Sequence, residues 1–343
     1  LPLPDHYGGL SPTWTAGPIY CTETTAALVV ALTGVPARVL TPLAVGAVTP
    51  LGSAGWQVTA VDAGHCPGAV MLLFEGPDGA RTVHTGDCRA AAAVLAQPAL
   101  RAFCARPVAR LVLDTTYGHP RHELPAAAGV AAAVADRVRA GLAAAAAGTG
   151  PDTLYLLQCY NVGKEELLAA VGRAAAANGR KVSVSADRLA RLATAAPVSR
   201  GGLDPSLFSA TLAPTDVSVA VVPWGSVAES WPYLRPDFTA TAAAARRAGA
   251  DACVAFVPTG WAATRGRGAV ERDGVTVEPV PYSEHSSFAE LRALVSLVRP
   301  ATVEPAVAAG AREARAIAAR FADLLDGRAA AAALLRGGRA APP

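Results

Sequence analysis

Residues 61–74 read VDAGHCPGAVMLLF, and they decide how this chain is built. The short apolar-rich stretch Gln57 to Asp62 leads into them and has the length of a strand. A Gly-His-Cys-Pro-Gly break follows. From Ala69 to Phe74 the chain is then apolar without alternation. A short unbroken apolar run between turn residues suits a strand buried on both faces. Gly76-Pro77-Asp78-Gly79 is a turn cluster, and Thr82 to Thr85 returns as the hairpin partner. Ala109 to Leu113 is a further strand that ends at Asp114.

Beyond Asp114 the pattern changes to helices alternating with strands. An Ala-rich helix is expected over Pro125 to Ala147 and a strand over Thr153 to Leu157. A helix follows over Glu165 to Ala177, then a strand over Lys181 to Ser185. Val217 to Val222 and Ala252 to Val257 are apolar strands with the helix Ala240 to Ala248 between them. Thr276 to Pro281 is a strand, Ser286 to Val298 a helix, and Arg312 to Leu325 a last helix. Strands alternating with helices argue for an α/β fold. Residues 327–343 are Ala, Gly, Arg and Pro in composition and read as a disordered tail.

Composition narrows the class. The 343 residues are 52% hydrophobic, but alanine dominates that figure. No uncharged apolar run is long enough to span a bilayer, so no membrane partner is expected. The net charge of +3 is too small to indicate nucleic acid by itself. Lysine occurs only at Lys164 and Lys181, so nearly all positive charge is arginine. The six cysteines are scattered with no C-x-x-C pair, which argues against a cysteine zinc site and for buried free thiols.

The chemistry-bearing side chains collect at strand ends. His65 follows a strand in DAGHCPGAV, Asp87 follows one in HTGDCR, and Asp114 closes another in LDTTY. His285 lies in YSEHSS between a strand and a helix start. Near the beginning, Asp5 and His6 precede Tyr7-Gly8-Gly9 and look like the end of a metal-binding loop, although Leu1 and Leu3 cannot be ligands. Imidazoles and carboxylates grouped at strand ends suit zinc or a similar divalent ion. Asp114 could instead be a helix N-cap. His84 reads as structural, and His119 and His122 as a solvated loop beside Pro120 and Arg121. CYNVGKEE is not a phosphate loop, because Gln158 stands where Gly is needed and Glu165 where Ser or Thr is needed. Lys164 at a helix start could still face an anion, or be a surface lysine.

The stretches DHYGGL, DAGHCPGAVMLLF, HTGDCR, LDTTY, VGKEE, FVPTGW and PYSEHSSFAEL occur here in a telling order. In that order they resemble the DNA cross-link repair nucleases. These are the Artemis and Apollo branch of the metallo-β-lactamase superfamily, which carries a β-CASP insert. SPTWTAGPIYCTETTAALV and ESWPYLRPDF look closest to the version fused to the N-terminus of certain plant DNA ligases, although no K-x-D-G adenylation motif is present. The resemblance runs from Asp5 to about Gly310.

That resemblance implies an α/β fold, a metallo-β-lactamase αββα sandwich with an inserted α/β β-CASP domain. Residues 1–117 and 279–326 would form the sandwich and 118–278 the insert. The family's H-x-H-x-D-H motif would end on Asp5 and His6, with Leu1 and Leu3 at its leading histidines. The expected reading is a sandwich truncated at its N-terminus. The resemblance also implies metal ligands at Asp5, His6, His65, Asp87 and His285, and catalytic roles for Asp87, Asp114 and His285. Ser283 and Lys164 would lie near a bound phosphate. One or two Zn²⁺ ions are implied, the second site taking Mg²⁺ or Mn²⁺. The substrate would be DNA, with 5′-phosphorylated ends, and the compartment the nucleus. Such an enzyme hydrolyses phosphodiester bonds with metal-activated water, as a 5′-to-3′ exonuclease or structure-specific endonuclease in cross-link or double-strand-break repair. Ala220 stands where a β-CASP histidine is expected, and Ala308 where asparagine is frequent. A non-catalytic DNA-binding scaffold and an RNA-processing nuclease are the competing readings.

Overall fold

The computed structural model describes residues 7–229, 234–265 and 268–327. Asp5 and His6 lie outside them, as do residues 328–343 of the tail. The chain divides into two compact units. One combines the chain up to Glu123 with the chain from His285 onward; the other is Leu124–Glu284.

The first unit opens with a short parallel pair, Ile19–Cys21 and Leu40–Pro42, joined through helix α1 (Glu23–Thr33). Val29 and Val30 of α1 pack on Ile19, Cys21 and Leu40. Strands β1 (Val48–Leu51), β2 (Trp56–Asp62), β3 (Val70–Glu75) and β4 (Arg81–His84) then run as an antiparallel meander. The turn between β3 and β4 closes as its residues dictate. Gly76 N–H donates to the Ala80 carbonyl at 2.9 Å, and Gly79 takes φ of +75°. Met71 and Leu73 are fully buried in the middle of the sheet, as the unbroken apolar run requires. Tyr20 of the short pair packs, with Leu51, Leu72 and Phe74, against Leu43, Val58, Ala60 and Val70, so two sheets meet face to face. Helix α2 (Pro98–Cys104) packs against β2 and buries Leu100 and Phe103. Strand β5 (Arg110–Leu113) is parallel to β4.

The second unit is a parallel sheet between helices. Helix α3 (Ala127–Ala146) precedes β6 (Thr153–Cys159), and helix α4 (Glu165–Ala176) follows it. Two short strands, β7 (Val182–Ser183) and β8 (Phe208–Ser209), lead to β9 (Val219–Pro223). Helix α5 (Phe238–Ala248), β10 (Ala252–Pro258), β11 (Val270–Arg272) and β12 (Val275–Val280) complete the unit. Its sheet order is β8-β7-β9-β6-β10-β12-β11, with only β11 antiparallel. Strand β6 shows why it sits at the centre. Tyr155 and Leu157 face Val138, Leu142 and Leu167 of α3 and α4, whereas Leu154 and Leu156 face the α5 side with Ala245. Gly141 in α3 lies where any side chain would run into the Tyr155 hydroxyl.

The chain then re-enters the first unit. Helix α6 (Phe288–Val298) buries Leu291, Leu294 and Val295 and contacts α2. Strand β13 (Thr302–Pro305) pairs in parallel with β5, giving the sheet order β13-β5-β4-β3-β2-β1. Helix α1, two facing sheets, and the layer of α2 and α6 form an α-β-β-α sandwich. Among the described residues, no helix is long and apolar enough to cross a membrane. None of the six cysteines is paired in a disulfide, and five are buried.

Candidate metal centre

Three loops at strand ends carry the candidate ligands. In the loop after β2, Gly64 N–H donates to the Asp62 carboxylate at 2.9 Å, and Ala63 N–H closes onto the Ala69 carbonyl at 3.1 Å. The Gly68 carbonyl lies 2.9 Å from the hydroxyls of both Thr22 and Thr25. Gly68 has φ of +85°, and a Cβ there would sit 2.9 Å from Thr25 Oγ1, so glycine alone fits. The loop bearing His65 is thereby fastened to the first turn of α1, whose N-cap is Thr22.

The Asp87 and His285 loops are fastened to each other. The Cys88 carbonyl accepts from the Ser286 N–H and hydroxyl, both at 2.8 Å. Ser286 Oγ in turn accepts from Ala90 N–H at 2.9 Å. One residue on, Ser287 and Glu290 form a capping box that starts α6. The Glu290 carboxylate also pairs with the buried Arg89 guanidinium at 3.2 Å. Ser286, Glu290 and Arg89 were not singled out from the sequence, although the Ser-x-x-Glu spacing of the capping box was readable there.

One ligand atom each from His65, Asp87 and His285 fall within 4.8 Å of one another. The two imidazoles meet edge to face, 4.8 Å between centroids. Behind them Asp114, 1% exposed, accepts from His285 Nδ1 at 2.8 Å. The same carboxylate accepts from Cys88 N–H, Thr116 N–H and the Thr116 hydroxyl. Burial pushes the Asp114 carboxyl up, but the His285 imidazole and the hydrogen bonds from His285, Thr116 and Cys88 outweigh it. The group is held well below the usual carboxylate range. An ionised acceptor at Nδ1 makes that nitrogen the donor and Nε2 the nitrogen suited to bind a metal. Two imidazoles and a carboxylate, half-buried and backed by a second carboxylate, fit a divalent cation. Three protein donors leave coordination positions for water.

The fold therefore brings His65, Asp87, Asp114 and His285 together. Asp5 and His6 lie outside the described residues. The other histidines divide. His84 Nδ1 accepts from Gly86 N–H at 3.0 Å, shaping the turn before Asp87. His122 is not in a solvated loop, as its polar neighbours suggested. It is 4% exposed, packs edge to face on Tyr117, and its imidazole is pushed down to about 4 by burial with Arg121 beside it. The segment folds back because His122 N–H and carbonyl are both used, by His119 and Phe288.

Lys164 and Ser283 lie in the second unit, and both are buried. Lys164 is the N-cap of α4 in the left-handed region, φ +68°. Its N–H donates to Glu284 Oε1 at 2.6 Å, and its ammonium lies 3.9 Å from the same carboxylate. Glu165 accepts from Gly163 N–H at 2.9 Å through Oε1. Its Oε2 is buried with no partner among the described residues. Burial, with Glu284 nearby, pushes the Glu165 carboxyl up to about 7.

A carboxyl raised on folding binds its proton more tightly in the folded state, so stability falls as pH rises from its ordinary 4.5 towards 7. The Asp114 carboxyl is ionised throughout that window in both states and adds no slope there. Glu165→Gln should therefore remove a loss on the order of 2 kcal/mol between pH 5 and pH 8. Urea unfolding at the two pH values measures it; an unchanged difference would place the buried proton elsewhere.

Residues 218–311 match the family described as DNA repair metallo-beta-lactamase. Over 88% of its length the chain is 33% identical to DNA ligase 6 of Arabidopsis thaliana, covering 21% of that protein. It is 32% identical to the DNA cross-link repair protein SNM1 of the same plant, over 90% of this chain and 60% of that one. It is 33% identical to the 5′ exonuclease Apollo of Gallus gallus, over 88% of this chain and 56% of that one. The chain thus spans between about a fifth and three fifths of these relatives' lengths.

Proposed function

We propose that this chain, which belongs to the DNA repair metallo-β-lactamase family, is a metal-dependent DNA nuclease. The observation that carries the reading is the cluster of His65, Asp87 and His285 with Asp114 fixing the His285 ring. These three residues would hold the ion, and Asp5 and His6 match the end of the family's first metal motif. A bound divalent ion supplies activated water and charge stabilisation for phosphodiester hydrolysis. Asp114 accepts the hydrogen bond of His285 Nδ1–H and so orients the ring with Nε2 as its metal-binding atom. Ser286 and Glu290 hold the two ligand loops in register. In this reading residues 118–278 are the β-CASP insert, most of it within the compact unit Leu124–Glu284, Zn²⁺ fills the first site, and Zn²⁺, Mg²⁺ or Mn²⁺ the second. The work is nuclear DNA repair. Lys164 and Ser283 would favour a 5′-phosphorylated end, although both are buried and Lys164 already faces Glu284. Ala220 lies within β9, paired with Leu156, where the family carries a histidine.

The test is hydrolysis of 3′-labelled DNA with a 5′-phosphate or a 5′-hydroxyl, with Zn²⁺, Mg²⁺ or Mn²⁺ supplied. Shortening from the 5′ end, faster on the phosphorylated strand and stopped by chelator, is expected. DNA binding without hydrolysis under all three ions would make the protein a scaffold. Cleavage of RNA alone would move it to the RNA-processing branch.

A further inference from the structure

We infer that Tyr160 and Trp224 form a stacking platform for an unpaired DNA base. The inference rests on the DNA-nuclease reading. Tyr160 directly follows β6 and Trp224 directly follows β9, and the last residues of these parallel strands, Cys159 and Pro223, are paired in register. Adjacent carboxyl ends thus stack the two rings face to face, their centroids 4.1 Å apart and their planes 17° from parallel, with the outer ring face as the surface for a base. Ligands of open parallel sheets bind beyond the carboxyl ends of the strands. The pair does not fill the core: Tyr160 is 48% exposed, unlike the buried Tyr155 and Tyr282 of the same unit.

The surroundings favour a nucleotide as occupant. Lys164 Nζ lies 5.5 Å from the Tyr160 ring centroid, 5.9 Å from that of Trp224 and 5.6 Å from that of Tyr282. A flat apolar surface beside a fixed cation matches a base joined to its phosphate. The ammonium is shared with Glu284, so stacking supplies most of the grip. Stacking tolerates any base, because every base has a π-face. The platform would therefore hold an unpaired nucleotide without reading its identity.

The experiment uses the full chain with chelator, so that hydrolysis is suppressed. The probes are 3′-labelled dT8 and an abasic oligomer of equal length and charge. Anisotropy should show wild type binding dT8 about tenfold more tightly than the abasic strand. Tyr160→Ala should lower dT8 affinity to the abasic level and leave abasic affinity within about twofold; Tyr160→Phe should keep the preference. Trp224 emission should be quenched by dT8 and not by the abasic strand, a readout that needs no folding-sensitive variant. Equal wild-type affinity for the two strands, with no quenching, would overturn the platform and leave the nuclease reading standing. Equal weakening of both strands by Tyr160→Ala would also overturn it. Failure to bind either strand would overturn the DNA reading and the platform with it.

Discussion

Asp87→Ala should lower DNA hydrolysis by on the order of 10²–10³-fold or more and reduce the metal held per chain. Asp87 is the single carboxylate in the three-donor cluster, so its loss leaves two imidazoles and no anionic ligand for a divalent ion. The surrounding loop should survive the change. Its shape is set by Gly86, by the Cys88 carbonyl on Ser286 and by Arg89 on Glu290, not by the Asp87 side chain alone. With chelator present, the melting temperature should therefore move by only a few degrees. Metal analysis and cleavage rate on the same preparation test this together. A variant retaining hydrolysis within tenfold of wild type would remove Asp87 from the centre.

Asp114 should respond differently to two substitutions. Asp114→Ala takes the acceptor from four donors at once: His285 Nδ1, Cys88 N–H, Thr116 N–H and the Thr116 hydroxyl. Leaving buried donors unpaired should cost about 3–5 kcal/mol, and the melting temperature should fall by roughly 10 °C. Asp114→Asn keeps the shape but turns one acceptor atom into a donor. If the amide NH₂ faces His285, the ring must shift its proton to Nε2 and cannot bind metal there. If it faces Thr116, donor meets donor. Metal affinity should fall 10–100-fold with a smaller loss of stability than for alanine. Calorimetric titration with Zn²⁺ measures the first and thermal unfolding the second. Unchanged affinity in the asparagine variant would show that Asp114 only caps its own turn.

Much of the fold could be read where periodicity is local. The apolar run ending at Phe74, the glycine-rich turn and the return strand appear within about one residue of expectation. The stretch Lys181 to Ser185 shortened to the two residues Val182–Ser183. Helix α1 was not read because Thr24, Thr25, Val29, Val30 and Thr33 are β-branched and hide its helical period. Strand β1 contains Pro50, which only an edge strand tolerates, and the sequence does not say which strand lies at the edge. The site divides in the same way. His65, Asp87, Asp114 and His285 were legible because each sits at a strand end beside Gly, Thr or Ser. The Ser286–Cys88 clasp was not, because its partners lie 198 residues apart. His122 misled for the same reason: Pro and Arg beside it describe its neighbours in the chain, not in space.

That clasp also sets an order of events during synthesis. The His65 and Asp87 loops leave the ribosome before His285 and Ser286, which follow only after the whole of Leu124–Glu284 has been made. At ~5–20 residues per second that interval is on the order of ten seconds or more. Until then β5 has no β13 beside it, and Asp114 has no imidazole to hold. The nascent chain therefore passes through a period in which it carries His65 and Asp87 without His285, and the three-residue cluster can close only once the second unit has emerged.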